Sequence, residues 1–146
     1  MTAASFSIGG TEHQRVEVTV SGYERQPSGD YDDDNWLNVE VFLAVGGFRG
    51  RFVASFTTVE LLAFRDELAT LQASLKGEAK LVTLETQLLL ILTGNDRGGI
   101  SLKGEAYDQP GIGNHLHFGL DLDQTHLTTS LRELNAVIEC FPVRAG

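Results

Sequence analysis

Four aspartates crowd one short stretch, Asp30, Asp32, Asp33 and Asp34, and two histidines stand two apart at His115 and His117. Several carboxylates on one loop are what a hard cation such as Ca²⁺ requires. A calcium loop of the EF-hand kind also needs a glycine at its sixth place and a glutamate at its twelfth. Counted from Asp30, those places hold Asn35 and Val41, so the stretch reads as a solvated acidic turn. Two imidazoles at i and i+2 of a strand share a face and could begin a metal site with Glu105 or His13. Alternation offers a simpler account: Leu116, Phe118 and Leu120 take the buried side and leave both histidines on the polar side without an ion. The expectation is no metal site and no cofactor.

Other candidates are weaker. Gly111-Ile112-Gly113-Asn114 opens like a dinucleotide fingerprint, but the third glycine is missing and a strand pattern follows, which leaves a phosphate no helix N-terminus to rest on. Cys140 could be a nucleophile, yet it ends an apolar helical stripe beside Phe141-Pro142, where packing explains it. Arg49 and Arg51 could grip a carboxylate or phosphate, although a cross-strand pairing with Glu40 needs no ligand. Trp36 is the lone tryptophan, adjoins the acidic stretch and alternates away from Leu37, Val39 and Val41. Either a helix covers it, or it anchors a partner as interface tryptophans do.

The elements that would carry these residues follow from periodicity. Residues 15–23 alternate as Val16, Val18 and Val20, the pattern of a half-buried strand, and 24–35 combine Pro27, Gly29 and acid into a loop. Residues 36–45 and 48–56 form two more strands joined by Gly46-Gly47, predicted as a type I′ turn. Phe48, Phe52 and Phe56 share a face. Thr57-Thr58-Val59-Glu60 is a capping box, and Leu61, Phe64, Leu68, Leu71 and Leu75 make one helical stripe that Gly77 would end. Residues 81–84 and 86–93 read as strands; Leu88 to Leu92 has no polar face, which predicts a central strand covered on both sides. Strands follow over 100–107 and 116–122, with a loop over 109–113 between them. A last helix begins near Thr125, carries Leu127, Leu131, Leu134 and Ile138, and ends before Pro142. The fold class expected is α+β, mainly antiparallel β meanders of about seven strands with two helices packed on the sheet. The helical strings 64–68 and 131–134 align only across a one-residue gap, which gives no reason to infer duplication.

Length and charge bound the rest. A chain of 146 residues that is 42% hydrophobic makes one domain, 1–146. With 20 acidic against 11 basic residues, the net charge of −9 repels phosphate backbones and anionic lipid, so neither nucleic acid nor membrane is an expected partner. A single cysteine cannot form an internal disulfide, and Met1 to Ser5 lack the start of a secretory signal; a cytoplasmic location is expected.

Tyr31-Asp32-Asp33-Asp34-Asn35-Trp36-Leu37 resembles the aromatic-x-Asp-x-Asn-Trp-Leu signature of WapI-type bacterial immunity proteins, with Asp32 where a second aromatic is usual. Gly47-Phe48-Arg49-Gly50, the helix with Leu61, Phe64 and Leu68, and the closing Asp123-Gln124-Thr125 with Phe141-Pro142-Val143 look similar too. Those proteins are antidotes to the C-terminal toxins of wall-associated polymorphic toxin systems, so the resemblance implies a binding protein with no catalytic residue. The reading is a non-enzymatic immunity protein meeting a basic toxin domain through Asp30, Asp32, Asp33, Asp34 and Trp36, with homo-oligomerisation left open. The alternative is a small-ligand-binding or metal-dependent enzyme on the polar sheet face around Glu105, Tyr107, His115 and His117.

Overall fold

The computed structural model describes residues 2–145, so Met1 and Gly146, the ends of the expected 1–146 domain, lie outside the described residues. Two four-stranded antiparallel meanders follow one another, and each is closed by a helix. The first comprises β1 (Ala4–Thr11), β2 (Gln14–Tyr23), β3 (Trp36–Val45) and β4 (Phe48–Thr57), with a four-residue helix α1 (Tyr31–Asp34) between β2 and β3, and leads into α2 (Thr58–Ser74). The second comprises β5 (Lys76–Val82), β6 (Leu88–Asn95), β7 (Gly99–Gln109) and β8 (Ile112–Asp123) and leads into α3 (Gln124–Cys140).

The class is the expected α+β, with eight strands and three helices among the described residues. The additional strand is β1. Only Phe6 and Ile8 carry its alternation, against serines and glycines, too few large residues to register as a strand in sequence. Pairing supplies what periodicity lacks: Phe6 faces Val18 and Ile8 faces Val16 across the ladder, and both are fully buried. The additional helix, α1, is a single turn inside the expected loop.

The helices exchange sheets. Helix α2, which follows the first sheet, packs on β5 of the second, and α3 returns to β1 of the first, the two helices also touching each other. Both begin in a capping box, Thr57 with Glu60 and Asp123 with His126, and both are 17 residues long. Counted from these caps, Leu61, Glu67 and Leu68 hold the places of Leu127, Glu133 and Leu134 with no gap. The shared places act alike. Glu67 Oε1 accepts the backbone N–H of Lys80 on β5 at 2.9 Å, and Glu133 Oε1 accepts that of Ser7 on β1 at 2.9 Å. Ser130 Oγ adds a bond to the Ser7 carbonyl at 2.5 Å. Each helix thus covers an edge strand whose free amides would otherwise invite pairing with another chain.

Several local expectations are corrected. Helix α2 stops at Ser74 because Leu75 takes a left-handed φ of 60° and donates back to Leu71, so Gly77 falls inside β5. Strands β5 and β6 accordingly lie over Lys76–Val82 and Leu88–Asn95 instead of 81–84 and 86–93. Gly46 has φ of +67° while Gly47 is not in the positive region, the pattern of a type II′ turn in place of I′. Strands β7 and β8 run into the expected 109–113 loop and leave only Pro110-Gly111 as the turn. Strand β6 lies inside its sheet but is covered on one side: Leu88, Leu90 and Leu92 are buried, whereas Leu89 and Ile91 on the other face are only half-buried. One buried apolar cluster joins both sheets and both long helices. Buried Gln87 ties the sheets together, its Nε2 donating to the carbonyls of Val53 at 3.1 Å and Tyr107 at 3.3 Å.

Candidate functional site

The acidic stretch folds as α1. Asp30 caps it, Oδ1 accepting the Asp33 N–H at 3.1 Å, and the turn carries Tyr31, Asp32 and Asp33 exposed on its surface. Arg25 lies 3.7 Å from the Asp33 carboxylate. Asp34 differs from its neighbours and corrects the expectation for it: it is 3% exposed, and its oxygens accept from Ser28 N and Oγ at 2.8 and 2.7 Å and from Gly29 N at 2.9 Å. The Ser28 hydroxyl above all, with the two backbone amides and the Arg144 charge, holds this carboxyl below the usual aspartate range. Asp34 therefore shapes the loop from within, beneath the exposed aspartates.

The next residue is the hub of the region. Asn35, 2% exposed, donates from Nδ2 to the carbonyls of Tyr31 at 2.7 Å and Arg144 at 2.9 Å. Its Oδ1 accepts from Thr58 Oγ1 at 2.6 Å and Arg144 N at 2.8 Å, so α1, the first turn of α2 and the C-terminal segment meet on one amide. Tyr23 completes the clasp: its hydroxyl donates to the Pro142 carbonyl at 2.5 Å, its ring packs edge-on to Phe141, and the Arg144 guanidinium lies 3.4 Å from the ring centroid. Burial raises the Tyr23 phenol above its ordinary range, with Arg144 opposing. The resemblance singles out Asn35 and Phe141-Pro142-Val143 separately; what brings the two regions together is the bonding of Asn35 to Arg144 and of Tyr23 to Pro142, both across more than a hundred residues, which no local pattern reveals. Trp36 opens β3 half-buried on the outer face, beside the acidic turn.

A second cluster lies on the outer face of the second sheet. Register places Glu105 opposite His117 and Tyr107 opposite His115. His115 Nε2 lies 3.0 Å and His117 Nε2 3.7 Å from the same Glu105 Oε1, and all three ligand atoms lie within 4.8 Å of one another. Tyr107 stacks on the His115 ring at 3.9 Å between centroids and 8° between planes. Of the two companions considered from sequence, the fold thus selects Glu105. His13 stands elsewhere, 3.4 Å from Arg49. The hairpin carrying His115 is pinned by Asp108, whose oxygens accept from Asn114 N at 2.8 Å and Nδ2 at 3.0 Å; those bonds hold its carboxyl below the ordinary range.

The remaining candidates separate. Arg51 bonds Glu40 across the hairpin, and Arg49 lies 3.9 Å from Glu12. Cys140 is exposed, contrary to the packing expected for it. Strand β8 begins at Ile112, so no helix follows the Gly111-Ile112-Gly113 segment. No helix among the described residues is long and apolar enough to cross a membrane.

Residues 7–142, nearly the whole chain, match a family model described as the immunity protein WapI-like family. No curated protein matches the chain.

Proposed function

This chain belongs to the immunity protein WapI-like family, and from that we propose that it acts as a non-enzymatic antidote in the cytoplasm, neutralising a cognate toxin domain by binding it. The family match over residues 7–142 is the observation that carries this reading. Two further features support a contact surface at α1. Asp30, Asp32 and Asp33 flank Tyr31, which is 47% exposed, and Trp36 stands close by. The turn presenting them is fixed from beneath by Asp34 and Asn35, so little ordering entropy remains to be lost on binding. The net charge of −9 favours a toxin with a basic face, since long-range attraction raises the encounter rate of oppositely charged partners. Asp34, buried in the loop, contributes by holding that geometry.

The test is to mix the purified chain with a toxin domain encoded by an adjacent gene of its source and measure both complex formation and toxin activity. A stoichiometric complex with suppressed activity is the expected result. Undiminished toxin activity with no complex would reject the assignment for that toxin.

A further inference from the structure

We propose that Glu105, His115 and His117 bind a divalent transition-metal ion of the Zn²⁺ type on the outer face of the second sheet. Imidazole nitrogens and a carboxylate oxygen suit such ions, and two histidines with a glutamate form a three-ligand set with a fourth position left open. Around a tetrahedral ion with bonds of about 2.1 Å, ligand atoms stand roughly 3.4 Å apart. The two separations from Glu105 Oε1, 3.0 Å to His115 and 3.7 Å to His117, bracket that value. The strands supply the convergence: the i and i+2 places on β8 put both imidazoles on one face, and β7 delivers Glu105 directly opposite His117. The Tyr107 ring, stacked flat on His115, restricts the orientation of that imidazole before any ion arrives. Leu89 stands opposite Glu105 in the ladder on β6 and is half-buried. The His117 side chain is 69% exposed, so water or a donor from another molecule can complete the shell. The ion is not required for folding, because the buried apolar cluster is built from other residues.

The experiment is calorimetric titration of Zn²⁺ into the full chain previously stripped with EDTA. One equivalent should bind, and Glu105→Gln, His115→Ala and His117→Ala should each weaken binding by at least roughly tenfold, since removing a direct ligand costs no less than removing a residue that supports one. His13→Gln and Cys140→Ser, which alter the other histidine considered as a companion from sequence and the single thiol, should bind like the parent. Circular dichroism of each variant, recorded in EDTA, should overlay that of the parent, which separates lost binding from lost structure. Absence of binding by the parent, or unchanged binding by the His115→Ala/His117→Ala double variant, would overturn the proposal.

Discussion

The two halves of the molecule are wired alike and decorated differently. Each is a four-stranded meander ending in a capped 17-residue helix, and each helix uses a glutamate at the same place to cover the first strand of the other sheet. The differences lie in what is added. The first half inserts the 24–35 loop with α1 between its second and third strands, where the second half has a short turn. The second half instead places Glu105, His115 and His117 on its outer sheet face, where the first half has its Arg51–Glu40 pair and Phe42 between Arg15 and Arg51. The repeated parts account for folding, and the parts without a counterpart are where recognition and binding are proposed. Mutual edge covering also couples the halves, since neither sheet has its first strand covered without the other half's helix.

The largest effects should come from the shared core. Leu90→Ala removes a fully buried side chain of β6 and should cost about 2–5 kcal/mol in denaturant unfolding. Leu89→Ala, one residue away on the half-covered face, should cost well under half as much; equal losses would mean that β6 is covered on both sides after all. Next comes the hub found only in the first half. Asn35→Ala strands buried partners on α1, α2 and the C-terminal segment, and should cost about 1–3 kcal/mol while increasing amide exchange near Arg144. The paired edge bonds are smaller: Glu67→Ala and Glu133→Ala should each cost about 1 kcal/mol. A large disparity between them would break the equivalence of the halves.

The smallest effect concerns acid. Asp34 and Asp108, one in each half, have folded carboxyls held below 3.8, so their stabilisation is in force above about pH 4 and is lost as pH falls through the lowered values. Asp34→Asn and Asp108→Asn should each lower stability at neutral pH and flatten its decline below pH 4. An unchanged acid limb in the double variant would contradict the assigned bonds.

Periodicity made most of the scaffold legible. The β2, β3 and β4 strands and the Thr57–Glu60 cap follow from alternation and a local hydrogen-bond rule, both of which act within a few residues. Strand β1 was hidden because its ladder and the bonds from Ser130 and Glu133 come from far along the chain. The even repeat of the halves is obscured in sequence because the matching places, Leu61, Glu67 and Leu68 with Leu127, Glu133 and Leu134, align only from the Thr57 and Asp123 caps, and the residues between them differ. For the site, strand parity brought His115 and His117 to one face, while choosing Glu105 over His13 required the β7–β8 register. At the acidic loop, composition grouped four aspartates that the fold divides: three at the surface and Asp34 beneath them.

The central claim, that recognition resides in the loop unique to the first half, is tested most directly by association kinetics. Stopped-flow binding to the cognate toxin domain should be compared for the parent and for Asp30→Asn/Asp32→Asn/Asp33→Asn at low and high salt. The variant should associate severalfold more slowly at low salt, and the difference should shrink at high salt, where exposed charges are screened, with stability nearly unchanged. Equal association rates for parent and variant at both salts would contradict the central claim.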